Sequence, residues 1–389
     1  MGLILNDLKN ACELEHVCDY VNNRTTSSMN YISTENMLPN KGGISESTII
    51  PPGTTTEYKI GDILISNIRP YFQKIWCADR CGGCSADVLC IRAKENTDSK
   101  YLYYLLSQQA FFDYVMSGAK GCKMPRGDKK QIMQWPVNIP AIDVQKKVVA
   151  ILSSLDNKIR LNRRINDNLE EQAKALFKSW SVDFEPFKGG KFVDSELGLI
   201  PKGWSTGTIY SYIDVIYGAP YKSALFNDKK QGLPLIRIRD LKTYTPQYYT
   251  KEVLPNTEYV ECGDIIAGMD AEFIPHIWRG EKGVLNQRLC KFVPKYDYVS
   301  KYYIYSLVYP KLAFVQSYKV GTTVSHLGKA DIDRFKVIVP PEDIIMQYSK
   351  IVNSYFAEIV KVSNENQILS SLRDTLLPKL MSGELSVEE

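Results

Sequence analysis

From Val148 onward the apolar positions advance in alternating steps of four and three: Val148, Leu152, Leu155, Ile159, then Asn162 and Asn166, then Leu169, Ala173, Leu176 and Trp180. A heptad seam sustained over more than four heptads predicts one long helix with a single face to bury. A second seam runs Ile345, Tyr348, Val352, Tyr355, Ile359, Val362, Asn366 and Leu369, with Leu376 and Leu380 beyond. Pro378 is expected to end or kink this helix, because proline gives up an N–H and crowds the preceding turn. At about 1.5 Å per residue, a helix from Asp143 to Trp180 would extend roughly 57 Å, longer than one small domain can cover. Each seam could still pack on its own domain. Antiparallel pairing of the two would bury both, and Asn162, Asn166 and Asn366 would favour one register at some cost in stability. Outer helix faces, with Phe177 and Phe356, would stay open to partners.

Ahead of Pro140 the texture differs. Short Ile-, Val-, Tyr- and Thr-rich segments punctuated by Gly, Pro and Asn predict strands and loops, with a few helices such as Ser99 to Met116. The same order returns about 200 residues later. Gly61-Asp62-Ile63 recurs as Gly263-Asp264-Ile265, Leu89-Cys90 as Leu289-Cys290, Gly121 as Gly321, Ile132 as Ile332 and Pro140 as Pro340, and Asp143, Ile159, Asn166 and Leu169 return as Asp343, Ile359, Asn366 and Leu369. A period this long implies two copies of one module, a globular domain followed by a helix. The reading is an α+β chain: two similar mixed α/β globular domains (1–142 and 205–341) joined by two long helices (143–183, and 342–389 with a tail) that form an antiparallel coiled coil, with a linker at 184–204 and an internal pseudo-two-fold repeat.

Composition adds limits. In 389 residues, 44% apolar and 24% charged residues are ordinary globular usage, and no apolar run reaches membrane-spanning length. The start carries Asp7 and lacks a long apolar core, and Asn6 breaks the myristoylation pattern, so a cytoplasmic location is expected. Nine Cys without a secretory signal point to reduced thiols, and three His leave little for histidine chemistry. A net charge of +4 is too slight to argue for nucleic acid alone, so local clustering must decide.

Near the end of the first globular copy, Lys120, Lys123, Arg126, Lys129 and Lys130 face one acid, Asp128, with Gly118, Gly121 and Gly127 allowing close backbone approach. Contact with phosphates is the natural functional reading, and a solvated polar turn the plain one. The equivalent second segment offers Lys319, Thr322, Thr323, Ser325, His326 and Lys329. A second pair of loops follows the Gly-Asp-Ile strands, Ser66 to Lys74 and Met269 to Arg279. They differ between the copies although the framework agrees, as expected of similar scaffolds reading different targets. Since Arg pairs with guanine and Asn or Gln with adenine, Asn67, Arg69, Gln73, Arg237, Arg239, Asn286, Gln287 and Arg288 are candidate base readers, with Lys74 and Arg279 beside them.

Cys77, Cys81, Cys84 and Cys90 could supply four zinc ligands, yet the second copy keeps only Cys290 in register, so the fold does not require a metal and none is expected. No phosphate-cradling Gly-rich loop, no Asn/Asp-Pro-Pro-aromatic methyltransferase motif and no hydrolase triad context occurs, and no catalytic residue is expected.

Gly61-Asp62-Ile63-Leu64 with its loop, Gly82-Gly83-Cys84-Ser85, Lys123 to Asp128, Pro201-Lys202-Gly203-Trp204, Asn286 to Leu289, Gly321 to Leu327 and Pro378 to Leu385 together resemble the specificity subunit of type I restriction-modification systems, over essentially the whole chain. The first copy lacks the Pro-Lys-Gly-Trp start of the second. The resemblance implies that each globular part is a target recognition domain for double-stranded DNA, that the chain is non-catalytic and has no cofactor of its own, and that two modification subunits use S-adenosylmethionine while two restriction subunits use ATP and magnesium. A coiled-coil scaffold without sequence-specific DNA binding is the alternative, and a zinc-dependent nuclease comes third.

Overall fold

In the computed structural model, residues 11–26, 30–45, 47, 53–121, 123–319 and 326–387 are described. Helices α1 (Ser99–Leu106), α2 (Gln109–Ser117), α3 (Lys129–Met133), α4 (Ile142–Ser181), α5 (Lys301–Lys319), α6 (Lys329–Ile332) and α7 (Glu342–Met381) are set among short strands. The chain divides into two compact units: residues up to Asn157 together with those from Ser371, and the contiguous stretch Lys158–Ser370. Both long helices therefore contribute to both units.

Each unit is built on the same four-stranded antiparallel sheet. In the first its order is Cys18–Tyr20, Val88–Ala93, Ile63–Ser66, Ile75–Cys77, and in the second Ile213–Tyr217, Leu289–Pro294, Ile265–Gly268, Pro275–Ile277. A short antiparallel pair closes each, Cys12–Glu13 with Pro136–Val137 and Ser205–Thr208 with Lys336–Val339, so the first copy starts as the second does without the Pro-Lys-Gly-Trp segment. The repeated Gly-Asp-Ile is explained by folding. Gly61 (φ +88°) and Gly263 (φ +94°) make turns that a side chain would strain. The following Asp62 and Asp264 carboxylates accept the N–H of Lys59 (2.7 Å) and Glu261 (2.9 Å). Asp62 then holds Arg92 at 2.6 Å and Asp264 holds Lys301 at 2.6 Å.

The seams pair in opposite directions within each unit. In the first, Val148 and Leu152 of α4 share a core with Leu377, Leu380 and Met381 of α7, and Arg373 meets Asp156 at 2.9 Å. Tyr104 of α1 donates its hydroxyl to the same aspartate at 2.7 Å, binding the helix pair to its domain. In the second, Asn162 donates to Asn366 (2.9 Å) and Glu365 (2.8 Å), and Asn166 to Ser363 (3.1 Å). The Asn162 and Asn166 side-chain oxygens are buried without partners among the described residues, which is the cost of such register marks.

Three expectations need correction. Pro378 does not end α7, which continues to Met381, although the proline gives up the hydrogen bond to the Asp374 carbonyl and its ring crowds that group. Phe177 is not a free outer-face residue but half-buried against Tyr303 and Tyr348, ring centroids 5.8 and 6.3 Å away, and Phe356 packs on the same core. Residues 184–204 are a folded piece, not a plain linker. Phe192–Ser195 and Gly198–Pro201 form a hairpin, and Phe184, Ile200 and Trp204 bury themselves with Phe187, Phe192, Ile338 and Ile344.

Candidate nucleic-acid interface

In the first unit the two candidate loops meet. The Arg69 N–H donates to the Pro125 carbonyl at 2.8 Å, Ile68 bridges Arg126, and Arg126 pairs through its backbone with Lys120. Gly127 is required there, since a Cβ on it would fall 2.7 Å from Val115 and 2.9 Å from the Asn67 side-chain oxygen. Asp128 caps α3 by accepting the N–H groups of Lys130 (2.9 Å) and Gln131 (3.3 Å) and also takes Lys120 at 3.2 Å. The Gln131 N–H, the Lys120 ammonium and the Lys130 N–H hold its carboxyl below the ordinary range. Arg126 rests on Asp87 at 3.1 Å. Lys123, Lys129 and Lys130 are exposed. The result is a cationic surface on a braced backbone, suited to phosphates.

Other candidates on this loop have internal duties. Asn67 is buried beneath Gly127, and its side-chain oxygen has no partner among the described residues. Lys74 donates to the Thr34 carbonyl at 2.7 Å, and burial lowers its pKa. Gln73 bonds to Gln109 of α2. Arg69 is half-buried and stays at the meeting of the loops.

The second unit repeats the frame with different chemistry. Leu327 N–H donates to Met269 O (2.7 Å), Met269 N–H to Arg288 O (2.9 Å), and Asp270 bridges His326. The Asp270 carboxylate gathers both Arg288 and His326, the latter at 2.7 Å. Burial by itself would raise this carboxyl, but the hydrogen bonds and charges of His326 and Arg288 bring it below the ordinary range. Where the first unit sets an acid, Asp87, against a basic loop, the second sets a basic residue, Arg288, against an acidic one. Arg239, Gln287 and Lys329 are exposed. Thr322, Thr323 and Ser325 lie outside the described residues, as does the Lys319 side chain.

Three residues expected to face DNA are placed elsewhere. Arg279 is bound to Glu170 of α4 and stacks 5.8 Å from Tyr244, while its carbonyl accepts from Gln367 of α7. It fastens the domain to the helix pair. Arg237 lies 4.3 Å over the Tyr248 ring and 3.6 Å from Asp240, largely covered. Asn286 is buried, its side-chain oxygen accepting the Arg288 N–H at 3.2 Å. Sequence reasoning left out Tyr71, Phe72 and Met124, which expose 49%, 38% and 50% of their surface around the first basic loop. Aromatic residues inside a polar loop were the available signal.

The four-Cys cluster is dispersed in role: Cys84 and Cys90 are buried, Cys77 is half-buried and Cys81 is exposed. Burial pushes Cys77 up to about 11 and Cys84 up to about 12. Among the described residues no group of three His, Cys, Asp or Glu could hold a metal ion, and no helix is long and apolar enough to cross a membrane.

Comparison with known proteins follows the same halves. The model of the type I restriction modification DNA specificity domain matches residues 10–171 and 201–370. The chain is similar to the MjaIX specificity subunit of Methanocaldococcus jannaschii, 28% identical over 324 residues covering 76% of this chain and 71% of that one. It is also similar to the HindI specificity subunit of Haemophilus influenzae, 24% identical over 433 aligned residues, 91% of this chain and 94% of that one. The solved S subunit of the type I system of M. genitalium aligns over 98% of each chain, at 15% identity and a TM-score of 0.47. With the family domain matched twice, over most of both halves, the chain belongs to the type I restriction-modification DNA specificity family.

Proposed function

We propose that the chain reads a bipartite, asymmetric site on double-stranded DNA and directs the adenine methyltransferase and restriction subunits of a type I complex to it. Membership of the specificity family gives it a role in DNA sequence specificity within a restriction-modification system, as a component that is itself non-catalytic. The observation behind the finer reading is the shared loop frame carrying unlike side chains: Arg126 against Asp87 in one unit, Arg288 and His326 on Asp270 in the other. Two such surfaces call for two unlike half-sites. The long helices would separate them by a stretch of unread DNA and receive two modification subunits, which supply the S-adenosylmethionine chemistry, while restriction subunits supply ATP- and magnesium-dependent steps, all in the cytoplasm. A scaffold that ignores DNA sequence leaves the two differently furnished loops without a purpose.

Selection of duplexes from a random library by the full-length chain tests this. Two unlike sequence blocks separated by an unspecified gap of fixed length are expected. A single block, two identical blocks, or no enrichment would overturn it.

A further inference from the structure

Between the strand partners Ile65 and Ile75 the first unit has a connection of residues 66–74; between Ala267 and Pro275 the second has 268–274, two residues fewer. The longer connection carries a single turn of 3-10 helix, Pro70–Phe72, bounded by Arg69 at φ +51° and Gln73 at φ +50°. Two non-glycine residues in left-handed conformation are costly, and such strain persists where the surroundings impose it. Here they do. Phe72 N–H donates to Arg69 O (3.0 Å), Gln73 N–H to Pro70 O (2.8 Å), Asn40 N–H to Phe72 O (2.8 Å), Lys41 N–H to Gln73 O (3.0 Å) and Arg69 N–H to Pro125 O (2.8 Å).

What this fixed turn presents is apolar. Tyr71 and Phe72 remain exposed, their ring centroids 4.6 Å apart and tilted by 51°. The Lys74 ammonium lies 6.0 Å over the Phe72 ring, so Tyr71 is the freer of the two. The second unit does the opposite with its aromatic: Phe273 is fully buried, its N–H bound to Gln316 of α5 at 2.6 Å. Among the described residues the aromatic turn belongs to the first unit alone.

Its neighbourhood names the occupant. Through Arg69 and Pro125 the turn shares its backbone bonding with the loop of Lys120, Lys123 and Arg126, which suits it to phosphates. An apolar ring held beside such a strip meets the groove between the strands. Apolar side chains so placed enter base steps and unstack them, and a turn already fixed pays no ordering cost on doing so. We propose that Tyr71, supported by Phe72, is a wedge that opens one base step in the half-site read by the first unit. This rests on the DNA-reading function above.

The test uses the full-length chain and the duplex it selects from a random library, with 2-aminopurine placed in turn at each position of each half-site. Fluorescence should rise at one step of one half-site on binding the wild type and Tyr71→Leu, which keeps an apolar wedge. With Tyr71→Ser the rise should vanish and affinity fall about tenfold, while the salt dependence stays as in the wild type, since an uncharged contact releases no counterions. Tight binding without a fluorescent step anywhere would overturn the wedge and leave DNA reading intact. So would a deoxyuridine-for-thymine duplex that reproduces the whole loss, which would make the contact one to a thymine methyl group. Failure to select any sequence would sink the DNA-reading function itself.

Discussion

Replacing Lys123 with Ala should flatten the salt dependence of DNA binding by about 0.9 in the log–log slope, the value for one neutralised phosphate. Lys123 is exposed and has no ionic partner among the described residues, so its whole charge is available to DNA. Arg126 should give less, because it already rests on Asp87 at 3.1 Å, side chains 58% and 39% exposed, and part of its counterion release is forfeited to that pair. Between 50 and 200 mM salt, 0.9 of slope corresponds to about 3.5-fold in affinity, so the Lys123→Ala protein should lose its disadvantage by roughly that factor as salt rises. Asp87→Asn should act in the opposite sense, freeing Arg126 and steepening the slope. Because these side chains are on the surface, melting temperatures should hold, with stability within about 0.5 kcal/mol. Fluorescence anisotropy over a salt series, on matched and unrelated duplexes, reads all three variants. A Lys123→Ala slope equal to the wild type, or a loss confined to the matched duplex, would refute the phosphate role and make Lys123 a base reader.

Three more outcomes follow from pairs inside the units. Arg279→Met should destabilise the second unit by about 2 kcal/mol in urea unfolding without changing salt dependence on DNA, since Glu170 would be left half-buried and unpaired; a changed slope would return Arg279 to the interface. The folded-state pKa of Asp270 lies below its ordinary 3.8, so its contribution is complete above that value and lost as pH falls through the folded one; Asp270→Asn should therefore remove part of the acid-side loss of stability, and an unchanged pH profile would count against the Arg288 and His326 pairing. Inserting seven residues in each long helix should lengthen the pair by about 10 Å, or roughly three base pairs of unread gap, while both half-site sequences survive. The Asp156–Arg373 pairing sets where: insertions at 156–157 and 372–373 keep Asn162 opposite Asn366, whereas one near Ile359 would slide that register. A selected gap of unchanged length would defeat the spacer reading.

The seams could be read from the sequence because a heptad pattern is local and each was sustained over many turns, with Asn162 and Asn366 meeting as register marks. The repeat exposed the sheet framework for a related reason: Gly61 and Gly263, Asp62 and Asp264 answer to turn geometry that both copies must satisfy. What escaped depends on partners far along the chain. Arg279 counted as a DNA contact beside the readers, but Glu170, 109 residues earlier, claims it. Asn67 and Asn286 were sensible adenine readers by type, yet burial was decided by Gly127 and by the turn that includes Arg288. The Gly- and Pro-rich stretch at 184–204 read as linker because its core is aromatic rather than periodic: Phe184, Phe187 and Trp204 stack edge to face over distances of 5.0 to 5.4 Å. Tyr71 and Phe72 were visible as letters, but the left-handed residues that display them were not.

The division of the chain also dictates an order of events during synthesis. Lys158–Ser370 is contiguous, whereas the first unit includes residues from Ser371 onward, with Leu377, Leu380 and Met381 in its core beside Val148 and Leu152. At about 5–20 residues per second, the ribosome needs on the order of 10 to 40 seconds to emit the intervening stretch. Throughout that interval the nascent first unit waits with part of its apolar surface uncovered, while the unit begun later can close before it.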